Sequence, residues 1–307
     1  MRWLVTGGAG FIGSHLVDAL LAGGEEEVIA LDSLRRGHWE HLAAHEGDER
    51  LMRIQADIRD ADTVAAACDG VDVVVHLAAQ SNVLGASKNV HYSAETNVVG
   101  TVNVLAGALE AGARRVVFTS SREVYGDPDV LPVTEDQPLA PKNNYGASKT
   151  AGEAYCQAFR QRGLDVAILR LANVYGPRDT ERVIPLWLDR AARGLDLDVY
   201  GGRQVLDFIW IDVVVQALLR AAEIDALPEP VNVGSGAGTP ITALAERVIS
   251  VTETTARVAL LPARDEEVVR FVADTTRMRD VLGLTPPDDP LAHLPLLVAG
   301  RAKAAAR

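Results

Sequence analysis

The sequence predicts an α/β fold: a doubly wound parallel sheet with helices on both faces, followed by a smaller C-terminal α/β domain. Three observations carry this. The first half alternates short apolar runs with helical patterns, as parallel strands joined by crossover helices do. A cluster of glycines follows the first strand at once and opens the first helix. Beyond Arg170 the alternation becomes irregular and glycine and proline recur, at Gly176, Pro177, Pro185, Gly194, Gly201 and Gly202. The chain has 307 residues, 48% apolar and 23% charged, enough for one large unit or two closely joined domains with a substantial core.

The strand candidates are short apolar runs: Arg2–Thr6, Val28–Leu31, Met52–Gln55, Val73–Leu77, Val116–Thr119 and Val166–Leu169. Helices fill the gaps at Ile12–Leu21, Asp62–Ala67, Ala94–Ala111 and Tyr145–Arg162. Residues 1–170 are expected to bind the dinucleotide and 171–307 the substrate. Two later segments, Asp207–Ile211 and Val231–Val233, are expected to return to the main sheet. The alanine-rich basic tail, Arg301–Arg307, is expected to fray.

The net charge of -12 argues against a nucleic-acid reader, which would carry a basic face. A phosphate-bearing ligand must be held by local groups. Cys68 and Cys156 are too few for a disulfide framework, which suits a reducing cytoplasm. The apolar stretch Trp3–Leu21 is interrupted by four glycines, His15 and Asp18, so it does not read as a signal peptide. No apolar run is long enough to span a bilayer. His38, His41 and His45 lack an accompanying carboxylate or cysteine motif, and no metal is assigned.

Gly7, Gly10 and Gly13 stand three apart between the first strand and first helix. This spacing lets the chain turn tightly, brings backbone close to a pyrophosphate and packs the helix on its strand. The helix N-terminus then offers unpaired N–H groups, and Phe11 and Ile12 lie in the same turn. Asp32 ends the second strand, nineteen residues after Gly13. A carboxylate there accepts from both ribose hydroxyls and repels a 2′-phosphate, the Rossmann preference for NAD. Arg35 and Arg36 keep NADP as the alternative. Asp57 and Ile58 end the third strand and suit the adenine edge, or form an ordinary turn.

Tyr145 and Lys149 are four apart at the start of a helix and project from one face. A free tyrosine titrates near pH 10, so it needs neighbouring positive charge to work as a base at neutrality. Lys149 and a nicotinamide cation would supply it, and Ser121, at the end of the fifth strand, can bond the same oxygen.

Together GGAGFIG, HLAAQ (His76–Gln80), NVVGT (Asn97–Thr101), SSREVYG (Ser120–Gly126), YGASK (Tyr145–Lys149) and ANVYGPR (Ala172–Arg178) resemble the extended short-chain dehydrogenase/reductase family. The similarity runs from residue 1 to about 280. It implies a nucleotide-diphosphate sugar as substrate and tightly held NAD that is reduced and reoxidised in each turnover. By that resemblance Tyr145 takes the proton of the sugar 4-hydroxyl, Lys149 binds the nicotinamide ribose and lowers the tyrosine pKa, and Ser121 bonds O4. Leu77, Ala78, Ala79 and Gln80 would line the cofactor. Asn173 would meet the diphosphate, with Arg178, Arg203 and Arg270 as further contacts, and Asn97 would stand beside the catalytic strands. The implied activity is that of a sugar-nucleotide 4-epimerase, of the kind that acts on UDP-glucose. A homodimer paired through the two long helices is also implied.

Two positions depart from the family pattern. Glu123 matches a glutamate of 4,6-dehydratases and uronate decarboxylases, which makes those activities the enzyme alternative. Arg122 stands where certain dehydratases carry an aspartic acid, and an arginine cannot donate a proton to a leaving hydroxyl. An Arg122–Glu123 ion pair is the simpler reading. Leu206 replaces an arginine usually presented to the diphosphate, a contact leucine cannot make. The non-enzyme alternative is an NAD-binding sensor, which would have no need of the Tyr-Lys-Ser set.

Overall fold

The computed structural model describes residues 1–225, 227 and 229–305. Among the described residues twelve strands are present: β1 (Arg2–Thr6), β2 (Glu27–Asp32), β3 (Leu51–Gln55), β4 (Val73–His76), β5 (Arg115–Ser121), β6 (Val166–Leu171), β7 (Asn173–Tyr175), β8 (Leu197–Tyr200), β9 (Val205–Trp210), β10 (Val231–Val233), β11 (Gly238–Pro240) and β12 (Val258–Leu261). The helices are α1 (Phe11–Ala22), α2 (Ala61–Cys68), α3 (Val83–Lys88), α4 (Val90–Ala94), α5 (Gly100–Glu110), α6 (Asn144–Arg160), α7 (Val183–Ala192), α8 (Ile211–Glu223), α9 (Ile241–Thr252), α10 (Thr276–Leu282) and α11 (Leu294–Ala305).

The main sheet is parallel throughout, in the order β10-β6-β5-β4-β1-β2-β3. From β1 the chain winds outward first to β2 and β3, then back past β1 to β4, β5, β6 and β10. The direction reverses beside β1, and ligands bind at such a reversal, outside the carboxyl ends of the strands. Alternate strand residues serve opposite faces. Leu4, Ile29, Val74, Val116 and Ile168 pack with Val64, Leu105 and Phe159 on one side. Trp3, Val5, Val28, Val75 and Val117 pack with Leu16, Leu20, Val214 and Leu218 on the other. Burial on both faces explains why these strands read as continuous apolar runs.

Val231–Val233 does return to the main sheet, as β10 beside β6. Asp207–Ile211 does not. Residues 205–210 form β9, the middle strand of a second sheet, parallel to β7 and antiparallel to β11. The reason lies in Asp207, fully buried, whose carboxylate accepts from the Ser235 and Gly236 amides, the Ser235 hydroxyl and the Ala273 amide at 2.7–3.0 Å. Those donors hold β9 against the turn after β10. A third, two-stranded sheet pairs β8 with β12.

The helix expected over Ala94–Ala111 is three pieces, α4, a π-helical turn at Glu95–Val99 and α5. The tail is helical to Ala305, so fraying from Arg301 is not seen, and the last two residues lie outside those described. Helix α6 is fixed at its start by Asn143, whose side chain accepts from the Gly146 amide at 2.9 Å. Further along, Glu153 binds Arg170 through both carboxylate oxygens (2.9 and 2.7 Å) and accepts from the Ser120 hydroxyl. Arg170 also donates to the Tyr125 hydroxyl, which donates to Asn232 of β10 at 2.7 Å. These side chains are all buried, and mutual hydrogen bonding compensates the loss of water.

Candidate active site

The glycines of the first turn have no room for side chains. Gly7 takes φ +73°, and a Cβ there would lie 2.9 Å from the Ala78 amide nitrogen. At Gly13 a Cβ would fall 2.1 Å from the Gly7 carbonyl oxygen, well inside any real contact. Helix α1 begins after Gly10 with no side-chain cap, so its first N–H groups remain available to an anion. Asp32 is 7% exposed and accepts from the Ala9 and Leu34 amides at 3.1 and 2.8 Å. Burial raises its pKa, and those two amides oppose the rise. An open helix terminus, a glycine cradle and this carboxylate are the donor and acceptor set a dinucleotide requires, so the residues present fit NAD.

Behind the turn, His76 is fully buried between two threonines. The Thr101 hydroxyl donates to the Asn97 carbonyl, so it accepts from His76 Nε2 at 3.0 Å, which leaves Nδ1 to accept from the Thr6 hydroxyl at 2.7 Å. Thr6 Oγ1 also accepts from the Ala78 amide at 3.2 Å and so places the HLAAQ segment against the glycine turn. Burial holds the His76 pKa down at about 3, and the imidazole stays neutral.

A single cavity of about 920 Å³ runs from this turn to α7. Gly7, Gly10, Phe11, Ile12, Gly13, Asp32, Asp57, Ile58, Leu77, Ala78 and Ala79 line it, as do Ser121, Arg122, Glu123, Tyr145, Lys149 and Asn173. Gln80 does not. Its backbone is clasped by the Asn97 side chain (2.7 and 3.1 Å), and its own amide lies over Gly85. Asp57 reaches the wall with its carboxylate already bound by Arg59 at 2.8–3.0 Å. The two arginines that favoured NADP are also engaged. Arg35 stacks on Tyr92, and Arg36 bonds Ser81 and Glu181.

At the other end Ser121 and Tyr145 line the same cavity, and Ser121 Oγ accepts from the Glu123 amide at 3.2 Å. Burial pushes the Tyr145 phenol above its ordinary pKa. Arg182, the neighbouring Ser121 hydroxyl and Arg36 pull it back, while Glu123 adds to the rise. Lys149, 3% exposed, donates to the Thr119 carbonyl at 2.8 Å. Its burial lowers the ammonium to about 8, with Cys156 and Glu153 resisting. A lysine this easily deprotonated is held by backbone and not by a carboxylate.

Arg122 and Glu123 form the ion pair, at 2.9 Å. Arg122 also donates to Asn173 Oδ1 at 3.3 Å, and the other Glu123 oxygen accepts from Asn143 at 2.7 Å. Asn173 donates in turn to the Asp207 carbonyl at 2.9 Å. Of the other arginines expected at the diphosphate, Arg178 lines the cavity but pairs with Asp18 of α1 at 2.8 Å. Arg203 and Arg270 are exposed and are not on the wall, while the residues that follow them, Gln204 and Phe271, are buried. The cavity-lining cations that sequence reading missed are Arg190, Arg193 and Arg264. Arg264 shares the wall with apolar Leu206, its guanidinium 3.5 Å from the Tyr200 ring centre and 3.1 Å from Glu267. Nothing local in the sequence distinguishes Arg264 from Arg270; only the course of the chain after β12 does.

The NAD dependent epimerase/dehydratase family model matches residues 3–234. A UDP-glucose 4-epimerase of Mycolicibacterium smegmatis is 37% identical over 294 residues, 93% of this chain and 94% of that protein. The dTDP-glucose 4,6-dehydratase DesIV of Streptomyces venezuelae, solved with NAD bound, superposes with a TM-score of 0.95 at 35% identity, covering 100% of this chain and 98% of its own. A UDP-glucose 4-epimerase from Thermotoga maritima, solved with UDP-glucose, superposes at 0.93 with 32% identity, covering 99% of this chain and 100% of its own. Among the described residues no helix is long and apolar enough to cross a membrane.

Proposed function

This chain is a member of the NAD dependent epimerase/dehydratase family, and we propose that it is a nucleotide-sugar 4-epimerase, with UDP-glucose and its C4 epimer as the first substrates to try. The observation that carries the reading is that Ser121, Tyr145 and Lys149 line the same cavity as the glycine turn and Asp32. NAD, when bound, takes a hydride from the sugar carbon and returns it. Tyr145 accepts the proton of the 4-hydroxyl as that carbon is oxidised and gives it back when the carbon is reduced from its other face. Ser121 orients the reacting oxygen, and Lys149 holds the first turns of α6 against β5. Asn173 and Arg264 are assigned to the diphosphate, Arg264 in the place Leu206 leaves empty of charge.

Glu123 supports a second reading, dehydration or decarboxylation on the same scaffold, since it is a buried carboxylate on the cavity wall. Both its oxygens already accept from Arg122 and Asn143, which favours epimerisation. Incubation with UDP-, dTDP-, GDP- and CDP-sugars, followed by proton NMR, separates the readings. Inversion at C4 supports the first, and a 4-keto-6-deoxy sugar or released CO₂ the second. No stereochemical product from any of them removes the epimerase reading.

The same reading includes a cytoplasmic homodimer paired through α5 and α6, supported by the exposed apolar side chains of Val99, in the π-helical turn before α5, and Tyr155 of α6, and by two unpaired, buried cysteines. Sedimentation as a monomer only would remove the dimer.

A further inference from the structure

The segment 177–182, between β7 and α7, lines the cavity with Arg178–Arg182 and is fastened on two sides. Toward α1, His15 bonds the Pro177 carbonyl at 3.0 Å, Arg178 pairs with Asp18 at 2.8 Å, and the Arg182 guanidinium lies 5.5 Å from the Phe11 ring centre. Toward the loop after β2, Glu181 pairs with Arg36, which also donates to the Ser81 hydroxyl at 2.7 Å. Arg178 takes φ +66°, a left-handed conformation that a non-glycine residue keeps only where its surroundings enforce it. Buried polar atoms without a partner gather on the strap and on its ion-pair partner: Arg178 Nη1, Asp179 Oδ2 and Arg36 Nε.

Arg36 stands four residues beyond Asp32, and Arg36, Ser81 and Glu181 all line the cavity. The ion pair therefore joins the wall beside Asp32 to the strap, with Glu181 as its anchor there.

We infer that the Arg36–Glu181 ion pair ties the strap shut across the bound dinucleotide and sets how slowly NAD and NADH leave. A reaction that stores its hydride on the cofactor fails whenever NADH escapes before the hydride returns. That consequence rests on the epimerase reading, but the tie itself does not.

The test uses full-length protein loaded with NADH. Release is followed by loss of cofactor fluorescence on adding excess NAD. Glu181→Gln and Arg36→Met are expected to release cofactor about five-fold faster than wild type, the scale of a partly exposed ion pair. Raising ionic strength should accelerate wild-type release and leave Glu181→Gln unchanged, which a purely steric role would not produce. Release from Glu181→Gln at the wild-type rate in low salt overturns the tie. If release accelerates as expected while no sugar is turned over, the tie stands and the epimerase reading falls. Normal turnover with unchanged release has the opposite meaning.

Discussion

Lys149 donates to the carbonyl oxygen of Thr119 at 2.8 Å, and that bond docks the first turns of α6 on the last residues of β5. The approach is close because Gly152, one turn further along α6, meets the Phe118 ring, where a Cβ would lie only 2.6 Å from Cζ. Tyr145 at the helix start and Ser121 at the strand end are thus positioned by contacts within the protein that precede any ligand.

Replacing Tyr145 by Phe keeps that docking and removes only the hydroxyl. Turnover should fall by about three orders of magnitude, the usual scale for a proton-transfer group. The cofactor content of the purified variant, read by absorbance after denaturation, should equal that of wild type. Surviving turnover would show that another group takes the proton.

Lys149 also makes a stability prediction. Its folded pKa is about 8 against an ordinary 10.5. Between those values the unfolded chain holds a proton that the folded chain has lost, so this lysine's contribution to stability rises as pH increases through that window. Lys149→Met has no such titration. Melting curves should show the Met variant gaining on wild type near pH 7, with the gain shrinking toward pH 10.

His76 acts in the acid range by the same linkage. Its pKa falls from 6.5 to about 3 on folding, so on acidification below 6.5 the unfolded chain takes up a proton the native imidazole refuses. Wild type should lose up to about 1.4 kcal/mol per pH unit from this group alone. His76→Asn should start less stable at neutral pH, because its fit between Thr6 and Thr101 is poorer, and should lose less stability between pH 6 and 4. Parallel denaturation curves in that interval would contradict a neutral buried imidazole.

The three basic positions near the C-terminal sheets separate by where they stand. Arg264→Ala should raise KM for the sugar nucleotide by roughly ten- to one hundred-fold, the scale of a lost charge-assisted hydrogen bond, with cofactor content unchanged. Arg203→Ala and Arg270→Ala should stay within about two-fold of wild type, as exposed substitutions usually do. Steady-state kinetics on the three variants checks this, and an effect confined to Arg270 would return the diphosphate to that residue.

Much of this was legible before any coordinates. The turn at Gly7–Gly13 and the carboxylate at Asp32 follow local rules that operate within one βα unit, and the strands of the main sheet are apolar because both faces are covered. What escaped depends on distant chain. Whether Arg264 or Arg270 turns inward is decided by β9 and the segment beyond β12. Asp207–Ile211 has the apolar pattern of a main-sheet strand, but four donors from residues 235, 236 and 273 draw it into another sheet. The Arg36–Glu181 pair joins positions 145 residues apart and leaves no mark on either neighbourhood.

The pairing of β10 with β6 bears on whether the cofactor half can live alone. Val231–Val233 covers the outer side of β6, and Asn232 ties Tyr125 and the Val133 carbonyl to that edge. A fragment ended after Arg170 would carry every residue of the glycine turn and still present a bare strand margin to its neighbours, with Tyr125, Val133 and Glu135 robbed of Asn232. Such margins recruit other chains. Severing the gene at that point would yield a self-associating remnant and not an autonomous nucleotide carrier.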